Sequence, residues 1–136
     1  MSVVKSKRGK SELEIINKSR ELASYTLKIC SNEKSFPKRY RWCITSNIVD
    51  DALNIYSDIR KSNSIFVKLK IDYDERRKCQ NTALGTIDSM LGNMDIAYAT
   101  FNIEDKRFEY WVGLVMDVQK LLRSWMKSDL ERYKEI

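Results

Sequence analysis

The chain has 136 residues, 43% of them hydrophobic and 32% charged, with a net charge of +6, which leaves room for one domain and one sizeable core. Four glycines and one proline supply too few turn signals for an all-β fold, and no apolar run approaches the roughly 20 residues that span a bilayer. The lack of any histidine removes Ser-His-Asp and Cys-His nucleophiles, histidine bases and histidine metal ligands together, and with them the Arg-x4–6-His motif of HEPN-type helical ribonucleases.

Cys30, Cys43 and Cys79 are odd in number, far apart and without CxxC spacing, so they read as buried thiols on helix faces and not as a zinc site. The carboxylates are scattered among basic residues, with no carboxylate pair on one apolar-walled face and no Gly-rich phosphate loop. The expectation is therefore a non-enzyme: no catalytic residues, no metal or cofactor, and no small-molecule substrate. The basic start, MSVVKSKRGK, lacks a following hydrophobic stretch and does not read as a signal peptide, so a cytoplasmic protein is expected.

Residues 1–10 carry Lys5, Lys7, Arg8 and Lys10 without an acid and read as a flexible basic arm. A first helix is predicted over about 11–32, opened by a Ser11-x-x-Glu14 capping box. Leu13, Ile16, Ala23, Leu27 and Cys30 line one face, and Ile15, Leu22 and Ile29 form a second stripe at seven-residue spacing. The second helix, about 37–62, starts at the single proline, Pro37, and places Ile44, Ile48, Ala52, Ile55 and Ile59 on its core side. The third, about 66–101, carries Leu69, Tyr73, Leu84, Ile87, Leu91, Met94, Tyr98 and Phe101 at helical spacing. Its stripe turns polar at Arg76, Arg77 and Gln80, as though that end projected past the core or lined a wet interface. The last helix, about 104–133, has Phe108, Trp111, Val112, Val115, Val118, Leu122 and Trp125 on its core face, and Tyr110, Leu114 and Leu121 widen the apolar arc. Short breaks between four such helices favour an all-α, up-down-up-down four-helix bundle over residues 11–136.

Two features bear on function. A bundle helix packed on one side needs an apolar arc of only about 100°. The extra stripes, Ile15, Leu22, Ile29, Tyr110, Leu114 and Leu121, thus point to a homo-oligomer interface, with burial inside one chain as the alternative. Positive charge gathers in the arm, at Lys34, Lys38, Arg39 and Arg41, and at Arg76, Arg77 and Lys78 near Lys68 and Lys70. Lysine and arginine bind phosphates, and interleaved aromatics can stack on unpaired bases, so these clusters are candidates for nucleic-acid contact, with solvated helix faces as the alternative. Phe36, Tyr40 and Trp42 read first as core or staple residues. No zinc-finger, helix-turn-helix or RRM pattern indicates base-specific readout.

Leu13-Glu14-Ile15-Ile16, Glu21-Leu22 and Phe36-Pro37-Lys38-Arg39-Tyr40-Arg41 resemble the four-helix-bundle proteins of the Avd group, the accessory variability determinants of diversity-generating retroelements. Gly113-Leu114-Val115-Met116-Asp117-Val118 and Leu121-Leu122-Arg123-Ser124-Trp125 are similar to that family's last helix. The resemblance implies a homopentameric barrel with a positive surface and no catalytic activity. It also implies binding to the retroelement's reverse transcriptase and to RNA and DNA during mutagenic retrohoming. Phe36, Pro37, Lys38, Arg39 and Tyr40 are the positions that fall on the family's compact motif. A sister group, the proteins of ribosomal-RNA intervening sequences, carries an Asn-Ile-Ala-Glu-Gly run where this chain reads Leu53-Asn54-Ile55-Tyr56-Ser57-Asp58. The alternative expectation is accordingly a bundle of the intervening-sequence type, a structural interaction protein without a nucleic-acid role.

Overall fold

The computed structural model describes residues 10–136, with side chains from residue 14 onward. Among the described residues the chain forms four α-helices and no strand: α1 (Lys10–Cys30), α2 (Ser46–Ser64), α3 (Lys70–Thr100) and α4 (Asp105–Arg132). A 3-10 turn, Lys38–Tyr40, and a π-helical turn, Arg41–Thr45, lead into α2. α1 packs against α2 and α4, and α3 packs against the same two helices, so the four enclose one core. No helix among the described residues is long and apolar enough to cross a membrane.

The core is aliphatic along α2 and α3, where Ile48, Ala52, Ile55 and Ile59 meet Ala83, Ile87, Met90 and Met94, all buried. Each such side chain of Ile, Leu or Met size contributes about 1.5–3 kcal/mol by leaving water. On α4 the core face is Trp111, Val115, Val118, Leu122 and Trp125, as its spacing predicts. The Trp111 Nε1–H donates to the Thr26 hydroxyl at 2.9 Å, and that hydroxyl donates to the Leu22 carbonyl at 2.7 Å, so the buried polar atoms between α1 and α4 are paired.

α1 is flanked on two sides, so its second apolar stripe and Ile16, Ala23 and Cys30 of its first are used inside the chain, while Leu27 of the first stripe is 48% exposed. Ile15, Leu22 and Ile29 are buried in the chain's own core, together with Leu114 of α4. They are not left over for a subunit interface, which corrects the expectation drawn from their spacing. Leu121 is half-buried against the same core. Tyr110 alone of that group is exposed, and its hydroxyl donates to Glu21 of α1.

The helix boundaries differ most at α3. Residues 66–69 are not helical: the backbone is extended at Ile65 and Leu69, and Phe66 and Leu69 are exposed. The Asp72 carboxylate accepts the backbone N–H groups of Lys68 and Leu69 at 3.1 and 2.9 Å, capping the helix start at Lys70. Those two donors hold the Asp72 carboxyl below its ordinary pKa.

Candidate nucleic-acid interface

The α1–α2 connection is built around Asn32 and Phe36. The Asn32 side-chain oxygen accepts the Lys34 N–H at 3.0 Å, and its carbonyl accepts the N–H groups of Ser35 and Phe36 at 3.1 and 2.8 Å. This tight turn drives the Phe36 ring inward, where it is 2% exposed and meets Phe101 and Trp111 edge-on at 5.6 and 5.8 Å. Pro37 follows with φ −56° and ψ 138°, and its carbonyl accepts the Tyr40 N–H at 3.0 Å to start the 3-10 turn. Tyr40 is half-buried against Phe101, and the Arg39 guanidinium lies 5.1 Å from the Tyr40 ring centroid.

With Phe36 and Pro37 pinned beneath, the outer side chains of this segment point to water. Lys34, Lys38, Arg39 and Arg41 are all exposed, and Trp42 is 83% exposed. The expectation of a core role holds for Phe36 and fails for Trp42, which lies six residues before Ile48 and so about 120° from the core direction of α2. An indole presented among four exposed cations can stack on an unpaired base while the cations hold phosphates.

The cluster on α3 is different. Arg76 is buried, with its Nε and Nη2 donating to the two oxygens of Asp129 at 2.9 and 3.2 Å and its Nη1 to the Ile65 carbonyl at 3.3 Å. Gln80 donates to the same carboxylate at 3.0 Å, and the Arg76 guanidinium lies 5.0 Å from the Trp125 ring. The polar break in the α3 stripe is thus a buried ion pair and not a wet interface, and Arg76 is withdrawn from the candidate nucleic-acid contacts. Arg77 is half-buried and donates to the Tyr73 hydroxyl and the Met126 carbonyl. Lys78 is exposed. Lys5, Lys7 and Arg8 lie outside the described residues, and so does the side chain of Lys10, whose backbone opens α1.

One basic stripe escaped the sequence reading. Lys120, Arg123 and Lys127 recur at steps of three and four along α4, and all are exposed with no ion-pair partner among the described residues. Arg123 and Lys127 border a shallow cavity of about 260 Å³ over Leu84, Met126 and Leu130, with Arg77 on the α3 side. The spacing was visible in the sequence, but these cations are separated by apolar residues of the core face and form no run.

No protein family, curated protein or solved structure matches this chain. The site must be read from its own geometry. Four of the six net positive charges belong to Lys5, Lys7, Arg8 and Lys10, so residues 11–136 carry a net charge of about +2. Position thus matters more than total charge: exposed cations and an exposed aromatic coincide in the segment 34–42, and again at Phe66, whose ring centroid lies 5.5 Å from the Lys68 ammonium.

Proposed function

We propose that this chain is a non-catalytic accessory protein that binds nucleic acid through the basic, aromatic-bearing segment between α1 and α2. The observation that carries the reading is Trp42, almost fully exposed beside Arg39 and Arg41 on a turn anchored by Phe36 and Pro37. An exposed indole between cations presents a flat face on which an unpaired base can stack while the cations hold the adjoining phosphates. The Avd resemblance falls on this same segment. It extends the proposal to a diversity-generating retroelement, in which the protein would bring reverse transcriptase and template RNA or its cDNA together. In that reading the helices follow an up-down-up-down course and the bundles join as a homo-oligomeric barrel, with five subunits implied by the resemblance alone. Contacts at the two ends support the course. Phe36 touches Phe101, which sets the α1–α2 connection beside the α3–α4 connection, and Arg76 joins Ile65 to Asp129, which sets the start of α3 beside the end of α4.

A second reading, a structural interaction module with no nucleic-acid role, is favoured by Phe66, Leu69 and Ile71, which are 76%, 65% and 63% exposed within six residues. One experiment separates the two. Binding of a structured RNA is measured against salt for the wild type and for Lys38→Ser/Arg39→Ser/Arg41→Ser. Removing three phosphate contacts should lower the slope of log K against log salt by about 2, since each contact to a single strand contributes about 0.7. An unchanged slope removes the segment from the interface, and no RNA binding by the wild type at physiological salt leaves the interaction module.

A further inference from the structure

Of the four pairs of neighbouring helices, α3 and α4 pack the least closely. Their seam opens into a groove of about 260 Å³ toward the start of α3 and the end of α4, floored by Leu84, Met126 and Leu130. Leu84 is half-buried and Leu130 is 56% exposed, so the chain's own core leaves this floor partly uncovered. Arg77 closes the α3 side, its guanidinium already donating to the Tyr73 hydroxyl and the Met126 carbonyl. Arg123 and Lys127 stand on the α4 side, and Lys120 continues their row toward the middle of that helix.

Among the described residues no carboxylate answers those three cations. Asp129 and Glu131 of α4 are held by Arg76 and Lys134, and Asp117 by Lys18 of α1. Asp88, one turn beyond Leu84 on α3, is exposed and pairs with none of the three. An apolar floor thus adjoins a basic wall. A phosphate backbone satisfies the wall and leaves Leu84, Met126 and Leu130 without a contact. A purely apolar partner covers the floor and strips water from Arg123 and Lys127 without supplying a counter-charge. A helix with carboxylates along the edges of its apolar face satisfies both. The spacing agrees, since Lys120 and Lys127 are seven residues apart, about 10.5 Å along the axis, or two turns of a helix laid alongside.

We propose that the α3–α4 groove docks one acidic amphipathic helix of a protein partner, its apolar row on Leu84, Met126 and Leu130 and its carboxylates against Lys120, Arg123 and Lys127. Met126 suits such a floor, because an unbranched thioether adapts to the side chains laid on it. The groove shares no residue with the segment 34–42, and its occupation does not depend on nucleic-acid binding. The bundle thus has a second face, able to hold a protein while a strand is held elsewhere.

The probe is a fluorescent, alanine-based helical peptide of about 18 residues, with leucines at i, i+4, i+7 and i+11 and glutamates flanking that row. Two controls keep its length: one carries glutamine for each glutamate, the other alanine for each leucine. By anisotropy at two salt concentrations, the wild type should bind the probe at least tenfold more tightly than either control. Arg123→Ser/Lys127→Ser should weaken the probe about fivefold or more and flatten its salt dependence. Leu130→Ser, at an exposed position, should weaken it about fivefold and leave the salt dependence as it was. Lys38→Ser/Arg39→Ser/Arg41→Ser should bind the probe as the wild type does, which separates the groove from the segment 34–42. Equal binding of the three peptides, or no binding, overturns the proposal, and so does a probe affinity untouched by both groove variants. A single-stranded oligonucleotide whose affinity falls with Arg123→Ser/Lys127→Ser, with the peptide unbound, overturns it and assigns the row to nucleic acid. A mass above 16.1 kDa by light scattering that falls to one chain in Leu130→Ser, with the peptide unbound, overturns it and assigns the groove to a second copy.

Discussion

Replacing Arg76 by Met tests the division of labour among the cations. The arginine side chain is 6% exposed and that of Asp129 is 0% exposed, and the two meet in a two-pronged ion pair. Met keeps the approximate length of the chain and removes the charge. Asp129 is then left in the core with Gln80 at 3.0 Å and Arg132 at 3.9 Å, too little to replace a bidentate guanidinium. Breaking a buried pair from one side costs about 3–5 kcal/mol. A chain of this length has an unfolding entropy near 0.29 kcal/mol/K, taking about 2.1 cal/mol/K per residue, so the midpoint of thermal unfolding should fall by roughly 10–17 °C. Far-UV circular dichroism during heating reads the shift. The double change Arg76→Met/Asp129→Leu removes both charges and should regain most of the loss, because an apolar pair of similar volume needs no compensation. Below the melting range, RNA affinity of Arg76→Met should match the wild type. A midpoint shift under about 3 °C would refute the buried-pair account. A double variant no better than the single would refute it too, and weakened RNA binding by a folded Arg76→Met would return that residue to the interface.

Two further outcomes follow from burial. Desolvation pushes the Cys30 thiol from its ordinary value near 9 up to about 12, so above pH 9 the unfolded chain releases a proton that the folded chain keeps. That contribution to stability is intact below pH 9 and is lost as pH rises towards 12. Denaturant unfolding at stepped alkaline pH should therefore show a steeper decline for the wild type than for Cys30→Ala, and parallel declines would count against the buried thiol. Gly85 and Gly92 lie exposed inside α3 with open space where a Cβ would stand. Gly85→Ala/Gly92→Ala should stabilise by about 1–2 kcal/mol and raise the melting midpoint by roughly 3–7 °C. A lowered midpoint would mean that another surface covers these positions in the assembled protein.

Helical spacing made the four helices and most of the core legible, because a 3.6-residue period shows directly in Ile48, Ala52, Ile55 and Ile59. It could not tell how many neighbours a helix has. The second stripe of α1 looked surplus, and it is buried because α1 packs against both α2 and α4. Nor could it pair Arg76 with a carboxylate 53 residues away; the sequence showed only a cation on an apolar face. The start of α3 was misplaced by the apolar run Ile65-Phe66-Val67, although Asp72, three residues after Leu69, was an available cap signal. At the site the basic residues were legible, and the exposure of Trp42 was implied by the spacing of Ile44, Ile48 and Ala52, which leaves residue 42 off the core face.

The burial of Ile15, Leu22, Ile29 and Leu114 moves the question of assembly to other residues. A stable interface covers about 800 Å² on each partner and is centred on side chains that leave water. Phe66, Leu69 and Ile71 are the densest group of large exposed apolar side chains, and none of them supports the chain's own core. If bundles associate through this end, Leu69→Asp/Ile71→Asp should lower the mass seen by light scattering to that of one chain, 16.1 kDa, with the helical content unchanged. The substitution acts through desolvation, since a carboxylate buried against an apolar partner surface without a partner charge is strongly unfavourable. An assembly that survives the double substitution must be held elsewhere. The remaining exposed apolar residues of α3 and α4, Ile96, Met116 and Leu130, would then be the surface to change next.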